Sequence, residues 1–400
     1  MKCHRPILTF TAILLVGASA IQAQPTVRLP TADRGLPGGT SAAFAVGVRG
    51  SPFTDVGQVA FGPDEHLYVL DRGARRVSVF DRAGRAVRSF GVRGNGAGQF
   101  LAPVQMAVTR NGEVVVSDVG RRRYVVFGTD GRLRREIQFE AGKLPGLTLR
   151  PSPRGGFVTA VRPAGMEGPL GGATRNVLSL MWQPLTADAR PVQLFEHEEE
   201  AAQTAEAPAG GAERRLVAAG PPTFSPGMHW GVLPNGGAVV ATSPAYRVRV
   251  IGPGGTTDRV IERPIPPRRV TDRDRERARA QLRSALSTGR GLTIISASGS
   301  GLPRALVDEQ VSGMRFATVL PVVRGITVAP SGTVWIERSG PDTGGPGAID
   351  LVTSAGRYVG TLAAQQRPEA ISPTGRAAYI ETDAAGRSSV VVRVLPAAWR

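Results

Sequence analysis

The side chains best able to do chemistry recur in register along this chain. Asp71 and Asp118 stand 47 residues apart, and each closes a stretch that opens on a glutamine, Gln58 and Gln105. Two carboxylates brought together could share a proton or hold a cation. The same aspartates could instead accept N–H bonds from the turns beside them. His229 opens a third stretch of this layout, and Arg324 stands just before a fourth, at Gly325. Glutamine, histidine and arginine at one repeated position would either make a polar ring or satisfy local backbone and water. Glu337 and Glu381 share another register, after Trp335-Ile336 and Tyr379-Ile380, and would offer a cation or sugar site. Past the opening residues there are three histidines, His66, His197 and His229, in three different registers. Three ligands plus water can make a catalytic zinc site, but histidines so spaced are badly placed for one. No Gly-x-Ser-x-Gly element, phosphate loop or His-Glu-x-x-His motif occurs, and Cys3 is the sole cysteine.

The elements that must position these residues follow from the repeat itself. Gln58-Val-Ala-Phe-Gly-Pro-Asp-Glu-His-Leu-Tyr-Val-Leu-Asp71 aligns with Gln105-Met-Ala-Val-Thr-Arg-Asn-Gly-Glu-Val-Val-Val-Ser-Asp118, and Arg76 to Arg85 continues one as Arg123 to Arg132 continues the other. Each unit reads as four short strands separated by Gly-containing hairpin turns. The frame returns at His229 to Glu262, at Gly325 to Leu362 and at Ala370 to Leu395, and more weakly over Leu147 to Phe195. That makes six units, and their spacing suits the blades of a propeller. Gly 51 and Pro 32 fit a chain of many tight turns.

The sixth unit stops after three strands. Its missing outer strand lies at the other end, where Phe44-Ala-Val-Gly-Val-Arg-Gly50 copies Phe90-Gly-Val-Arg-Gly94. The fold expected is therefore an all-β, six-bladed β-propeller closed by an N-terminal strand. Leu67-Tyr-Val-Leu-Asp71 followed by Arg76-Val-Ser-Val-Phe80 is similar to the NHL repeat, and the whole resembles the uncharacterised secreted bacterial type of six-bladed propeller. The usual loop asparagine is replaced by Ala74 and Arg121. That resemblance implies function at the mouth of the central channel. Related lyases need several histidines around zinc and related lactonases a carboxylate and asparagine ring around calcium, and neither set is recognisable here.

Two segments interrupt the repeat. Residues 196–222, rich in Glu, Ala, Gly and Pro, read as a flexible loop between the third and fourth blades. Residues 270–313 read as a helical insertion between the fourth and fifth with one amphipathic helix over Val270 to Leu286, where Thr271 and Asp274 approximate a capping box and Ala278, Leu282 and Leu286 keep helical spacing. Residues 24–40 read as a linker and 397–400 as a tail.

Lys2, Arg5, the apolar run Ile7 to Val16 and the small residues up to Ala23 have the layout of a secretory signal peptide. Export to the periplasm or beyond is the expected address. The formal charge is +17, but only Lys2 and Lys143 are lysines and the arginines are scattered. A solvated basic surface explains this better than a nucleic-acid interface. These features favour a non-catalytic, monomeric binding or scaffold module without metal or cofactor, recognising an envelope or extracellular protein, peptide or glycan at a propeller face. The ligand-binding candidates are Gln58, Gln105, His229, Arg324, Glu337 and Glu381. The second reading is a metal-dependent hydrolase or lyase using Glu337, Glu381 and His229.

Overall fold

A computed structural model describes residues 24–48, 53–163, 176–186, 190–199, 221–288, 303–341, 345–383 and 387–400. Residues 1–23, read above as a signal peptide, and residues 200–220 of the interblade loop lie outside the described residues.

Six antiparallel sheets are arranged as blades. Blade 1 is Val56–Phe61, Leu67–Asp71, Arg76–Phe80 and Ala86–Phe90, and blade 2 is Pro103–Val108, Val114–Asp118, Arg123–Phe127 and Leu133–Gln138. Blade 3, the faint repeat, is complete, from Lys143–Pro151 through Phe157–Pro163 and Asn176–Gln183 to Val192–Glu199. Blades 4 and 5 begin at His229–Val232 and Val323–Val328. Blade 6 takes Ala370–Ile371, Arg376–Thr382 and Ser388–Val394 from the C-terminal region and Ser41–Val46 from the N-terminal one.

Closure is visible in register and in packing. Phe44 pairs with Val392 and Val46 with Val390, antiparallel. Phe44 also lies against Gly84 in the last hairpin of blade 1, as Phe90 lies against Gly131 in the last hairpin of blade 2. Both glycines have φ near 80° (80° and 78°), and an added Cβ would sit 2.7 Å and 2.9 Å from those rings. Only glycine meets both demands at little cost.

The apolar side chains form one buried cluster between each adjacent pair of blades, including Val59, Leu67 and Val69 of blade 1 with Ala378, Val390 and Val392 of blade 6. This explains why the second strands are apolar throughout rather than alternating. Leu67 and Val69 pack toward blade 6, while Tyr68 and Leu70 pack toward blade 2. Both faces of such a strand are interior.

Among its described residues the insertion holds two helices rather than the single one expected: α1 (Asp272–Thr288) and α2 (Arg304–Ser312), packed through Leu282, Leu286, Val307 and Val311. The first apolar stripe was legible, whereas the nine-residue second helix has only Val307 and Val311 buried and leaves a weaker period. The other interruption also departs from expectation at its start, because blade 3's outer strand runs to Glu199. Its far end, at Thr223, pairs with Phe316 beyond α2, so the two insertions clasp one another.

Residues 24–40 are built into the rim as a strap. Thr26–Arg28 adds parallel to Thr257–Glu262 of blade 4, and Gly35 bridges Thr361 of blade 5 before the chain reaches blade 6. Of the tail, Trp399 is buried, stacks edge-on to Trp335 and donates to the Pro37 carbonyl.

Candidate functional site

Inner strands line the axis, so their first residues and the segments leading into them surround one mouth of the channel. At that mouth the structure gathers Arg324, Glu337 and His229 of the expected residues. Glu337 is buried on the second strand of blade 5, and Arg324 Nε lies 3.7 Å from its carboxylate. The closer partner was not foreseen. Arg367, from the segment entering blade 6, places Nε 3.3 Å from Glu337 Oε2 and also donates through Nη1 to Thr327 Oγ1. It sits outside the repeat frame, so register could not point to it. A clue was available in Gly325, which stands where blades 1 and 2 carry glutamine. A Cβ there would come 2.8 Å from Arg367 Nε and 3.1 Å from Glu337 Oε2. The absent side chain is the space the ion pair occupies.

His229 opens the inner strand of blade 4, opposite Ala241. Burial, then the charges of Arg367 and Arg324, push its pKa down to about 4. Its imidazole is neutral at pH 7 and can accept as well as donate.

Gln58 lies deeper and is spent on the backbone. Its Nε2 donates to the Leu149 carbonyl at 2.9 Å and its Oε1 accepts from Met106 N at 3.0 Å, which ties blade 1 to blades 2 and 3. Beside it Arg150 extends from blade 3 across the channel to the Glu369 carbonyl, at the edge of blade 6, with 3.5 Å between donor and acceptor. Thr327 donates to the Pro368 carbonyl at 3.0 Å. Together these residues make a polar septum through the axis.

Gln105 is buried opposite Ser117 and is not among the side chains that line the axial cavity, although its neighbour Met106 is. Glu381 is half-exposed and paired with Arg393 at 3.1 Å on its own blade. Neither joins the Arg324–Glu337–Arg367 group. Asp71 accepts from Thr54 N, Asp55 N and Ala74 N, and Asp118 accepts from Leu101 N and Ala102 N. They shape turns. The three histidines are dispersed: His66 faces Asp64 in a blade 1 hairpin, and His197 lies on the outer strand of blade 3. Among the described residues no three His, Cys, Asp or Glu side chains gather closely enough to hold a metal. Glu337, Glu381 and His229, the set invoked for a metal-dependent enzyme, are not brought together.

A family model described as a 6-bladed beta-propeller matches residues 51–144. The E3 ubiquitin-protein ligase NHLRC1 of Homo sapiens is 28% identical over 132 residues, and its Rattus norvegicus counterpart 29% over 129. The chain is a six-bladed β-propeller of NHL-like type. The match spans about a third of those relatives, 32% and 31% of their lengths, and blades 1 and 2 carry the clearest repeats. Two solved structures align over most of this propeller at low identity. Virginiamycin B lyase from Staphylococcus aureus has 10% identity, covering 88% of this chain and 98% of that one, with TM-score 0.40. Regucalcin from Agrobacterium tumefaciens has 10%, covering 93% and 97%, with TM-score 0.39.

Proposed function

We propose that this propeller is an extracytoplasmic binding module that holds an acidic segment of a protein, peptide or glycan at the Arg324–Arg367 mouth. The observation that carries the reading is two guanidinium groups converging on one carboxylate, Glu337, beside a neutral His229. The group keeps a net positive charge, and the Arg324 side chain is 42% exposed. A carboxylate arriving there could take the Arg324 donors left over from Glu337 and from the Nη1 bond to the Gly345 carbonyl, while His229 donates or accepts a further hydrogen bond. The clasped insertions give this side of the disc an asymmetric wall suited to an extended partner.

Export is supported by the signal-like opening segment. The strap begins pairing at Pro25 and Thr26, so cleavage after Ala23 would leave it whole. The test is fluorescence anisotropy with labelled hexaglutamate and hexalysine peptides and with polygalacturonate oligomers. Hexaglutamate or the uronate should bind in a salt-sensitive manner and lose about tenfold in affinity on Arg324→Ala. Equal binding of hexalysine, or indifference to Arg324→Ala, would dismiss the reading.

A further inference from the structure

The septum divides the channel, and the half away from the Arg324 mouth is a cup. Its volume is about 410 Å³, within the range of small-molecule sites. The walls are apolar, with Met106, Val108, Val232, Val328 and Ile371 among them. The rim is formed by the hairpins that follow the inner strands: Pro63, Pro153, Pro234, Pro330 and Pro373 on five blades and Arg110 on the sixth. The floor carries Arg150.

Arg150 is unusual in what it lacks. Among the described residues its guanidinium makes one hydrogen bond, the 3.5 Å contact with the Glu369 carbonyl. Burial lowers its pKa, with the Glu369 charge opposing that and Arg367 adding to it. The guanidinium of this partly buried residue has five donors and, among the described residues, one protein acceptor. Arg367 is already committed to Glu337, Thr327 and the Ile326 and Pro368 carbonyls.

We propose that the cup binds a small single-chain carboxylic acid, head inward against Arg150 and apolar tail toward the proline rim. A monoanion fits because one unspent guanidinium faces it, with the Glu369 side chain near enough to disfavour a dianion. A planar carboxylate can take two parallel N–H bonds from that group. The aliphatic side chains of the wall reward a slim hydrocarbon tail, while Gln58 and Thr327 of the septum and Thr109 and Ser152 are the neutral polar side chains among them. The floor limits how deep any ligand can go, so the tail must be short enough to end at the rim. This site is separated by the septum from the mouth proposed above and does not depend on it.

The experiment is titration of the mature protein with carboxyl-13C-labelled octanoate, followed by NMR and calorimetry, with octanol and octylamine as neutral and cationic probes. One octanoate should bind per chain with a shifted carboxyl resonance, octanol should bind at least about tenfold more weakly, and octylamine not at all. Arg150→Met should weaken octanoate about tenfold or more while Arg150→Lys retains most of the affinity. Equal binding of the three probes, no octanoate binding, or affinity unaltered in Arg150→Met would overturn the proposal. Should Arg150→Met not fold, a crystal of the unaltered protein with 8-bromooctanoate decides instead. Bromine among the rim prolines with the carboxylate at Arg150 upholds the site, and any other placement refutes it.

Discussion

At the scale of the residue, His229 makes the pH behaviour of the Arg324 mouth measurable. Its folded pKa, about 4, lies below the ordinary histidine value near 6.5. Between those values the unfolded chain binds the proton and the folded one does not, so stability should rise with pH from about 4 to 6.5 and be flat in this respect above. The contribution is bounded by ~3 kcal/mol, less for solvent screening because the residue is partly exposed. Urea unfolding at pH 4.5 and 7.5 should show this difference shrinking in His229→Gln, and an undiminished difference would assign it to other groups. Gly325 is a second handle. Gly325→Ala pushes against the flexible ends of Arg367 and Glu337, so it should cost about 1 kcal/mol or less in stability. It should weaken hexaglutamate binding more than its melting temperature suggests. Of the site, His229, Arg324 and Glu337 were legible by register. Arg367 and Arg150 were not, because each acts by reaching out of its own repeat position to another blade.

At the scale of the element, α1 shows how local signals survive into the structure. Thr271 Oγ1 accepts from Asp274 N at 3.3 Å, and Asp274 Oδ2 accepts from Thr271 N at 2.9 Å, a reciprocal box with the shorter acid. Arg268 adds two bonds to the same carboxylate, at 2.8 Å and 3.1 Å, and with the Thr271 bonds holds Asp274 well below the usual carboxylate range. The stability it adds is present above the ordinary aspartate pKa and is lost as pH falls below that value. Thr271→Ala should remove about 1 kcal/mol, read as early loss of helical signal on heating. Thermal curves for α1 that match the unaltered protein would mean the clasped insertions, not the cap, hold it. Blade 3 teaches the reverse lesson. Its repeat is faint in sequence, yet Leu180, Trp182 and Leu194 are buried against Trp230 and Val240 of blade 4. Interblade packing asks for volume and apolarity, not for the NHL-like pattern.

At the scale of the whole molecule, the N-terminal strap and its anchor decide how the ring is held. Arg263 and Asp350 have fully buried side chains 2.7 Å apart, and Arg263 also donates to the Pro30 and Ala32 carbonyls and to Asp33. One guanidinium thus binds blade 4, blade 5 and the strap. Removing one partner of a buried pair is costly, so Asp350→Ala should lose about 3–5 kcal/mol. Hydrogen exchange at the amides of Leu36, which donates to the Thr361 carbonyl, and of Thr361, which donates to the Arg34 carbonyl, should lose its protection in that variant. Protection kept at those amides would show that the strap is held independently of Arg263.

Periodicity alone determined the all-β class, the six units and the return of the chain to complete its last blade, because strand alternation, hairpin turns and repeat length are local and cumulative. The tertiary structure decided the rest: the rim strap from residues 24–40, the Gln58 and Arg150 septum, and the assembly of Arg324, Glu337 and Arg367. Each of these joins residues far apart in sequence across a channel or along an edge that exists only once the ring is closed. Their energies come from burial and from distances that no single repeat contains.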